Sequence, residues 1–230
     1  FVNEMLNYHG QSFENKRVVI SGSGNVAIYA AEKAIDYGAK VVAMCDSSGY
    51  IVDENGIDLS IVKQIKEVER NRIKEYIARK EGAQYFEGQK GIWTVKCDIA
   101  LPCATQNDIN LDDAKILVEN GTTVIGEGAN MPCTNEAVKY FLEKGLLVAP
   151  AKAANAGGVA TSALEMTQNS MRLSWSFEEV DEKLHGIMVN IFKNTRDAAK
   201  EYGFEGNYLV GANIAGFIKV ADAMMAQGLV

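Results

Sequence analysis

The feature that most constrains the fold of this chain is a glycine-rich turn, GSGNVA, at residues 22–27. It follows a short β-branched run, RVVISG (17–22), and opens a helical pattern that extends from about Val26 to Tyr37. In such a turn the first glycine allows a tight bend, the second lets a pyrophosphate reach the backbone, and the small third residue keeps the helix close to the strand. The phosphates then meet unpaired N–H groups at the helix N-terminus. The turn therefore predicts a dinucleotide site that includes Gly22, Ser23, Gly24, Asn25 and Val26.

A second strand, KVVAMCD (40–46), supports this interpretation because it ends in an acid. Asp46 lies 24 residues after Gly22, near the spacing of about 20 at which a carboxylate binds a ribose hydroxyl. A plain strand-to-helix turn needs no such acid. A methyltransferase, however, also combines a glycine turn with an acid after its second strand, so these residues leave that class of enzyme open.

Strand-like and helix-like segments alternate through the first 150 residues. Further β-type runs lie at 97–102, 122–130 and 146–150. Helical periodicity occurs at 58–80, 111–121 and 134–145, and turn clusters occur at 47–49 and 53–56. This alternation predicts an α/β fold with a doubly wound, parallel, Rossmann-like sheet that carries helices on both faces.

The sequence after Pro150 is helical, and Ser176 with Glu179 forms a capping box at the start of one helix. We therefore expect a single dinucleotide-binding domain over residues 1–230. Its parts are an entry helix, a Rossmann core, and a crevice segment with C-terminal helices, at 1–15, 16–150 and 151–230 respectively.

The charge balance disfavours nucleic acid and membrane partners. Lys and Arg number 23 against 30 Asp and Glu, a net charge of −7, and no uninterrupted apolar stretch reaches the 18 residues of a membrane helix. Four scattered cysteines without a CxxC pair, and two histidines in polar surroundings, predict reduced thiols in a cytoplasmic protein and no metal site. The chain starts with Phe rather than Met, so we expect a processed or excised piece of a longer protein.

The residues after Asp46 bear on which dinucleotide binds. Ser47 and Ser48 are small hydroxyl donors able to contact a 2′-phosphate, and Lys66 and Arg72 on the next predicted helix can supply positive charge. The alternative is that these basic side chains form a solvated helix face with neighbouring glutamates.

Polar side chains follow two further predicted strands. PCATQN (102–107) follows one strand end and GEGANMP (126–132) follows the next, while small residues fill a later strand exit at 149–162. In a doubly wound sheet the carboxyl ends of strands face the ligand crevice, where amides and hydroxyls suit ribose and carboxamide recognition. The alternative is that these Asn and Thr residues form turns by bonding to their own backbone.

Six ordered segments form a set: GSGNVA, CDSSG, LPCATQND, EGANMP, AKAANAGGVATSALEM and GANIAGFIKVADAM. Together they resemble the glutamate dehydrogenase family, the Glu/Leu/Phe/Val dehydrogenases, and most of all its bacterial hexameric, glutamate-specific branch. The resemblance covers only the family's C-terminal nucleotide-binding domain, so the N-terminal domain, which holds the catalytic lysine and aspartate, is expected to be missing. It implies that the full-length homo-hexamer oxidatively deaminates L-glutamate to 2-oxoglutarate and ammonia, with hydride passing to a nicotinamide.

The resemblance also implies roles for individual residues. It places Asn25 on the cofactor and Asn155 near the nicotinamide and substrate. The residues implied to border the riboses are Ala104, Thr105, Asn107 and Asn130. Ser162 is implied to bond the side-chain carboxylate of glutamate, and Val159 to line the same pocket. Ser162 favours glutamate over apolar substrates, because an apolar side chain would leave its hydroxyl unpaired.

CDSSG with Lys66 and Arg72 is more similar to NADP-using members of the family, so NADP is the preferred cofactor and NAD stays possible. We expect no catalytic residue in this chain, which would bind cofactor without turning over substrate. The alternative function is a nucleotide-sensing or interaction module that reuses the Rossmann fold.

Overall fold

A sheet of short strands forms the centre of the computed structural model, which describes residues 1–228. Within that range seven strands form one sheet in the order β4-β3-β2-β1-β5-β6-β7. Their bounds are β1 Arg17–Ser21, β2 Lys40–Asp46, β3 Gly49–Val52, β4 Gln84–Glu87, β5 Ile99–Pro102, β6 Val124–Gly126 and β7 Leu147–Ala149. The five strands from β2 to β7 in this order pair in parallel, and the order reverses between β1 and β5. Such a reversal opens a crevice outside the strand ends, which confirms the doubly wound arrangement.

Strands β3 and β4 correct the expectation of an all-parallel sheet. Both pair antiparallel at one edge, β3 against β2 and β4 against β3. Only Ser47 and Ser48 separate β2 from β3, and two residues suffice for a hairpin but not for a parallel crossover. The predicted turn cluster at 47–49 is therefore the hairpin turn, and the strand follows at once.

Helices cover both faces of the sheet, as expected. The helices are α1 Val2–Tyr8, α2 Asn25–Asp36, α3 Leu59–Lys63, α4 Leu111–Glu119, α5 Asn135–Glu143, α6 Ala151–Ala154, α7 Ala156–Met171, α8 Phe177–Glu201 and α9 Tyr208–Gln227. Alternate strand residues point to opposite faces. Val18 and Ile20 of β1 pack with α1, α2, α8 and α9, whereas Val19 packs with α4 and α5.

Two predicted helices are shorter than their sequence patterns. The helix expected within 1–15 ends at Tyr8, because Gly10 adopts a φ of +68° and Gln11 donates its N–H back to the Leu6 carbonyl. The pattern at 58–80 breaks into α3, a π-helical turn at 64–68 and a 3₁₀ helix at 73–78. Arg70 at φ +56° lies in the interruption.

The last helix is apolar on average, although Lys219 and Asp222 interrupt it and no uninterrupted apolar stretch of 18 residues occurs there. Within residues 1–228, α9 is long and apolar enough to span a membrane, with a mean hydropathy of 1.4. Tyr208 and Gly211 of α9 are nonetheless buried, and Gly211 lies against Thr195 and Ala199 of α8. One face of α9 is therefore a packing surface inside this fold.

Candidate functional site

The glycine turn is held against the neighbouring strand exit at the point where the strand order reverses. Gly22 has a φ of +94°, and a Cβ there would lie 3.2 Å from both the Ala104 Cα and the Cys103 carbonyl oxygen. Its N–H donates to the Cys45 Sγ over 3.0 Å. Both the backbone conformation and the space around it thus require glycine at position 22.

The N-terminus of α2 is open to a ligand. Gly24 is its N-cap, so no side chain caps the first N–H groups of this 12-residue helix. A Cβ built on Gly24 meets no heavy atom within 4 Å. The residues on either side of Gly24 differ in exposure: Ser23 is buried, whereas Asn25 and Val26 are exposed. Free N–H groups, a positive helix end and a cradle that a Cβ would fill are what a pyrophosphate needs.

The carboxylate of Asp46, at the end of β2, forms hydrogen bonds and an ion pair with other residues of the chain. Its Oδ1 accepts hydrogen bonds from the Ser48 N–H at 2.8 Å and the Ser48 hydroxyl at 2.6 Å. Its Oδ2 accepts one from the Ile73 N–H at 2.8 Å and lies 3.5 Å from the Lys66 Nζ. Burial by itself disfavours the carboxylate, but the hydrogen bonds from Ser48 and Ile73 and the Lys66 charge outweigh burial, so the pKa of Asp46 is lowered. The carboxylate organises this corner of the site.

The predicted 2′-phosphate residues do lie together. Arg72 donates a 2.6 Å hydrogen bond from its guanidinium to the Ser47 hydroxyl. Lys66 donates to the Asn71 carbonyl over 2.9 Å while it faces Asp46. The corner therefore joins two cations and two hydroxyls to a single buried carboxylate, an arrangement that suits an anionic group.

The exits of β5 and β6 form one hydrogen-bonded rim. The Ser21 hydroxyl accepts from the N–H groups of Cys103 at 3.0 Å and Ala104 at 3.3 Å. Asn107, at a φ of +55°, donates its N–H to the Met131 carbonyl over 3.0 Å. Ala104 in this loop is half-buried and Thr105 is exposed. Backbone hydrogen bonds thus fix the loop and leave its side chains facing outward.

Three asparagines predicted for the cofactor or substrate share one cleft. A cleft of about 1130 Å³ is lined by Asn107, Asn130 and Asn155 among other residues. The Asn155 Nδ2 donates to the Asn130 Oδ1 at 2.9 Å and to the Ala129 carbonyl at 3.3 Å. The structure therefore brings the β6 exit and the start of α7 to the same place.

The two predicted substrate residues lie on the first turns of α7. Val159 and Ser162 follow Asn155 by four and seven positions, which places all three on one side of the helix. Val159 is 71% exposed, and the Ser162 hydroxyl donates back to the Gly158 carbonyl over 3.3 Å. These residues form an open wall in this chain.

Sequence reasoning missed two buried acids in this region, Glu127 and Asp108. Glu127 accepts hydrogen bonds from the N–H groups of Ala151 at 2.8 Å and Cys133 at 3.3 Å. Asp108 accepts a 3.4 Å hydrogen bond from Gln89 at Oδ1, its Oδ2 has no partner, and burial raises its pKa. An acid directly after a β-type run, as in GEGAN, was the available signal for Glu127.

The comparisons with known proteins agree with this geometry. The sequence model of the Glutamate/Leucine/Phenylalanine/Valine dehydrogenase family matches residues 1–228. The chain belongs to this family. Such a family is one of oxidoreductases, so the methyltransferase alternative is wrong.

Individual relatives in the family show what share of their length this chain covers. The chain is 54% identical to the NADP-specific glutamate dehydrogenase of Salmonella typhimurium and 53% identical to the NAD(P)-specific glutamate dehydrogenase of Xylanibacter ruminicola. Both alignments cover 100% of this chain and 52% of the relative. The crystal structure of Plasmodium falciparum glutamate dehydrogenase matches with a TM-score of 0.94 at 44% identity, over 100% of this chain and 50% of that one. The chain thus spans about half the length of the relatives it matches.

Proposed function

We propose that this chain is the NADP(H)-binding half of a glutamate dehydrogenase, which converts L-glutamate to 2-oxoglutarate and ammonia when complete. The observation that carries the proposal is the continuous row of ligand-ready groups along the strand ends. It begins at the Arg72–Ser47 pair, passes the open N-terminus of α2 and ends in the asparagine-lined cleft. An anion-binding corner, a pyrophosphate cradle and an amide-lined cleft match the three chemical parts of NADP(H).

The residues of this chain bind and orient the cofactor. The N–H groups at Asn25 and Val26 hold the pyrophosphate, and Ser47, Lys66 and Arg72 hold the 2′-phosphate. Thr105, Asn107 and Asn130 border the ribose that leads toward the cleft. The cofactor, when bound here, would supply the nicotinamide as the hydride acceptor.

The substrate wall on α7 is half of a pocket. Val159 offers apolar contact and Ser162 offers a hydroxyl to the side-chain carboxylate of glutamate. The relatives' additional length supports an opposite wall contributed by an N-terminal half. Large exposed apolar side chains on α7 and α9 support the same conclusion, because exposed apolar patches mark surfaces that bind another part of the protein. They are Val159, Met166, Phe217, Val220 and Met225.

We also infer the oligomeric state and the cellular location of the complete enzyme. We propose that the complete enzyme is a homo-hexamer, because the sequence motifs of this chain resemble those of the bacterial hexameric branch of the family. We also propose a cytoplasmic location, where the four buried thiols would stay reduced.

A titration tests the cofactor assignment. NADPH, NADH and S-adenosylmethionine are added to the chain separately and followed by calorimetry and by nicotinamide fluorescence. We expect NADPH to bind more tightly than NADH, and S-adenosylmethionine not to bind. Absence of binding by both nicotinamide cofactors, with the chain folded by circular dichroism, would contradict the proposal and favour an interaction module.

A further inference from the structure

A buried carboxylate lies at the exit of β6, behind the amide-lined cleft. Glu127 is 6% exposed, and its two oxygens accept from two different segments. Oε2 accepts the Ala151 N–H at 2.8 Å, and Oε1 accepts the Cys133 N–H at 3.3 Å. Both donors are backbone groups, so the carboxylate fixes main chain on each side of it.

The two segments that Glu127 joins carry the amides of the cleft. Ala151 is the first residue of α6, and Asn155 follows the end of that helix. Cys133 closes the loop 127–133, in which Asn130 lies. The Asn155 Nδ2 donates to the Asn130 Oδ1 over 2.9 Å, which links the same two segments a second time at the rim. The Glu127 carboxylate and the Asn130–Asn155 hydrogen bond therefore join the same two segments.

The same loop is tied to the switch point. Gly128 and Ala129 both donate their N–H groups to the Pro102 carbonyl, at 3.1 and 3.0 Å. The Glu127 N–H donates to the Ala149 carbonyl at 3.1 Å. The ends of β5, β6 and β7 thus meet at residues 127–129. Of these three residues, Glu127 is the one whose side chain also forms hydrogen bonds.

The chemistry of the site requires an acid there. Two N–H donors converge on one side chain, and only a carboxylate offers an acceptor to each without presenting a donor. Among residues 1–228 no Lys, Arg or His lies within ion-pair distance of Glu127, so these hydrogen bonds are what compensates its charge. Charge-assisted hydrogen bonds of this kind are the strong ones.

We propose that Glu127 is a positioning residue for the nicotinamide half of the cofactor, an inference that rests on the proposed function. It acts through Asn130 and Asn155 and does not touch the cofactor. The corner proposed for the 2′-phosphate lies at the other end of the row, on β2 and the 66–73 segment. Within residues 1–228 it shares no hydrogen bond with Glu127. Loss of Glu127 should therefore affect one half of the cofactor and leave the other half bound.

The test compares two ligands on Glu127→Gln. NADPH reports the whole cofactor, and 2′,5′-ADP reports the adenosine and 2′-phosphate alone. The glutamine amide would present a donor to one of the two N–H groups. We expect the variant to bind NADPH at least tenfold more weakly, with reduced enhancement of nicotinamide fluorescence, and 2′,5′-ADP within about twofold of the original chain. Glu119→Gln, an exposed glutamate at the end of α4, is the matched control and should change neither affinity.

A second variant covers the case in which Glu127→Gln does not fold. Ala151→Pro removes the N–H that Oε2 accepts, and proline suits the first position of a helix. It should show the same selective loss of NADPH. If a folded variant loses equal affinity for NADPH and 2′,5′-ADP, or loses no affinity for NADPH, the proposal for Glu127 is overturned. Failure of the original chain to bind either ligand would instead contradict the proposed function.

Discussion

The guanidinium of Arg72 donates a 2.6 Å hydrogen bond to the Ser47 hydroxyl, although 25 positions separate the two residues. Ser47 lies in the hairpin turn after β2, and Arg72 precedes the 3₁₀ helix at 73–78. Asp46 sets this contact, because it accepts the N–H of Ser48 on one side and the N–H of Ile73 on the other. A single carboxylate thus brings a hydroxyl and a guanidinium to the same space.

The first prediction concerns the choice between NADP(H) and NAD(H). Replacing both Lys66 and Arg72 with Ala should weaken NADPH binding by at least about 100-fold, because each charged hydrogen bond to a phosphate contributes about 1.5–3 kcal/mol. NADH, which lacks the 2′-phosphate, should change by less than about threefold. Calorimetric titration of both cofactors measures the difference.

A matched control for this pair is available nearby. Arg79→Ala removes a cation from the same stretch of chain, but Arg79 pairs with Glu69 and not with the Asp46 corner. This variant should leave the NADPH-to-NADH ratio unchanged. Equal losses for the two cofactors in the Lys66 and Arg72 variant would mean that these side chains are a solvated face.

The second prediction separates two glycines of the turn. Gly22→Ala should destabilise the fold by about 1–3 kcal/mol, since φ is +94° and the new Cβ would meet the backbone of Cys103 and Ala104 at 3.2 Å. Gly24→Ala has open space around it and should cost less than about 1 kcal/mol. It should nonetheless abolish NADPH binding, because its Cβ would occupy the pyrophosphate cradle. Denaturant unfolding and NADPH titration on both variants measure the two effects; a Gly24→Ala chain that binds normally would refute this account of the cradle.

The contrast between these glycines shows what the sequence could predict. The spacing of Gly22, Gly24 and Asp46 is local information that predicts the dinucleotide turn, and the alternation of strand and helix patterns predicts the parallel core. The packing of Gly22 on the β5 exit depends on residues about 80 positions away, which no periodicity reveals.

The same limit explains the errors at the edge of the sheet. The run at 58–80 has helical spacing, but the N–H of Ile73 is bonded by the distant Asp46 carboxylate, and the helix is interrupted before it. Strands β3 and β4 have only four residues each, too few for alternation to stand out beside turn-forming neighbours. For Asp46 the prediction of a ribose ligand stands as a prediction, and spacing gave no sign of its hydrogen bonds to Ser48 and Ile73.

The third prediction is a pH dependence of stability. The pKa of Asp46 is lowered in the folded chain, where hydrogen bonds from Ser48 and Ile73 and the charge of Lys66 outweigh the opposing effect of burial. Such a carboxyl adds stability above its unfolded pKa, near 3.9, and loses it as the pH falls through the folded value. The difference in unfolding free energy between the original chain and Asp46→Asn should therefore be largest near pH 7 and shrink below about pH 4. Denaturant unfolding of both proteins from pH 7 to pH 2.5 measures this difference. A difference in unfolding free energy that stays constant over this range would contradict the role of Asp46.

The fourth prediction concerns the thiols. Burial raises the pKa of Cys45 and Cys103 to about 12 and that of Cys97 to about 11, and it also raises the pKa of Cys133. Because the thiolate is the reactive form, we expect all four to react with a disulfide reagent only as fast as the chain unfolds. Stoichiometric labelling should appear at once in guanidinium chloride. Fast labelling of the native chain at pH 8 would mean that the strand-end crevice opens without unfolding.

The last prediction is that the 230-residue chain alone does not oxidise glutamate. The reaction needs a group within hydrogen-bond reach of the substrate to activate water and move protons. Among the candidates, Lys152 donates to the Asn213 Oδ1 at 2.5 Å, His9 is hydrogen-bonded to the Tyr208 hydroxyl at 2.8 Å, and His185 is exposed on α8.

Positioning would fail as well, because Val159 and Ser162 form an open wall and orientation contributes about 7–11 kcal/mol to lowering a barrier. A stopped assay with glutamate and NADP⁺ at high protein concentration should yield no NADPH, and adding an N-terminal half in trans should restore formation. Glutamate-dependent NADPH production by this chain alone would show that it holds a complete catalytic centre, and Lys152→Ala would then be the first variant to assay.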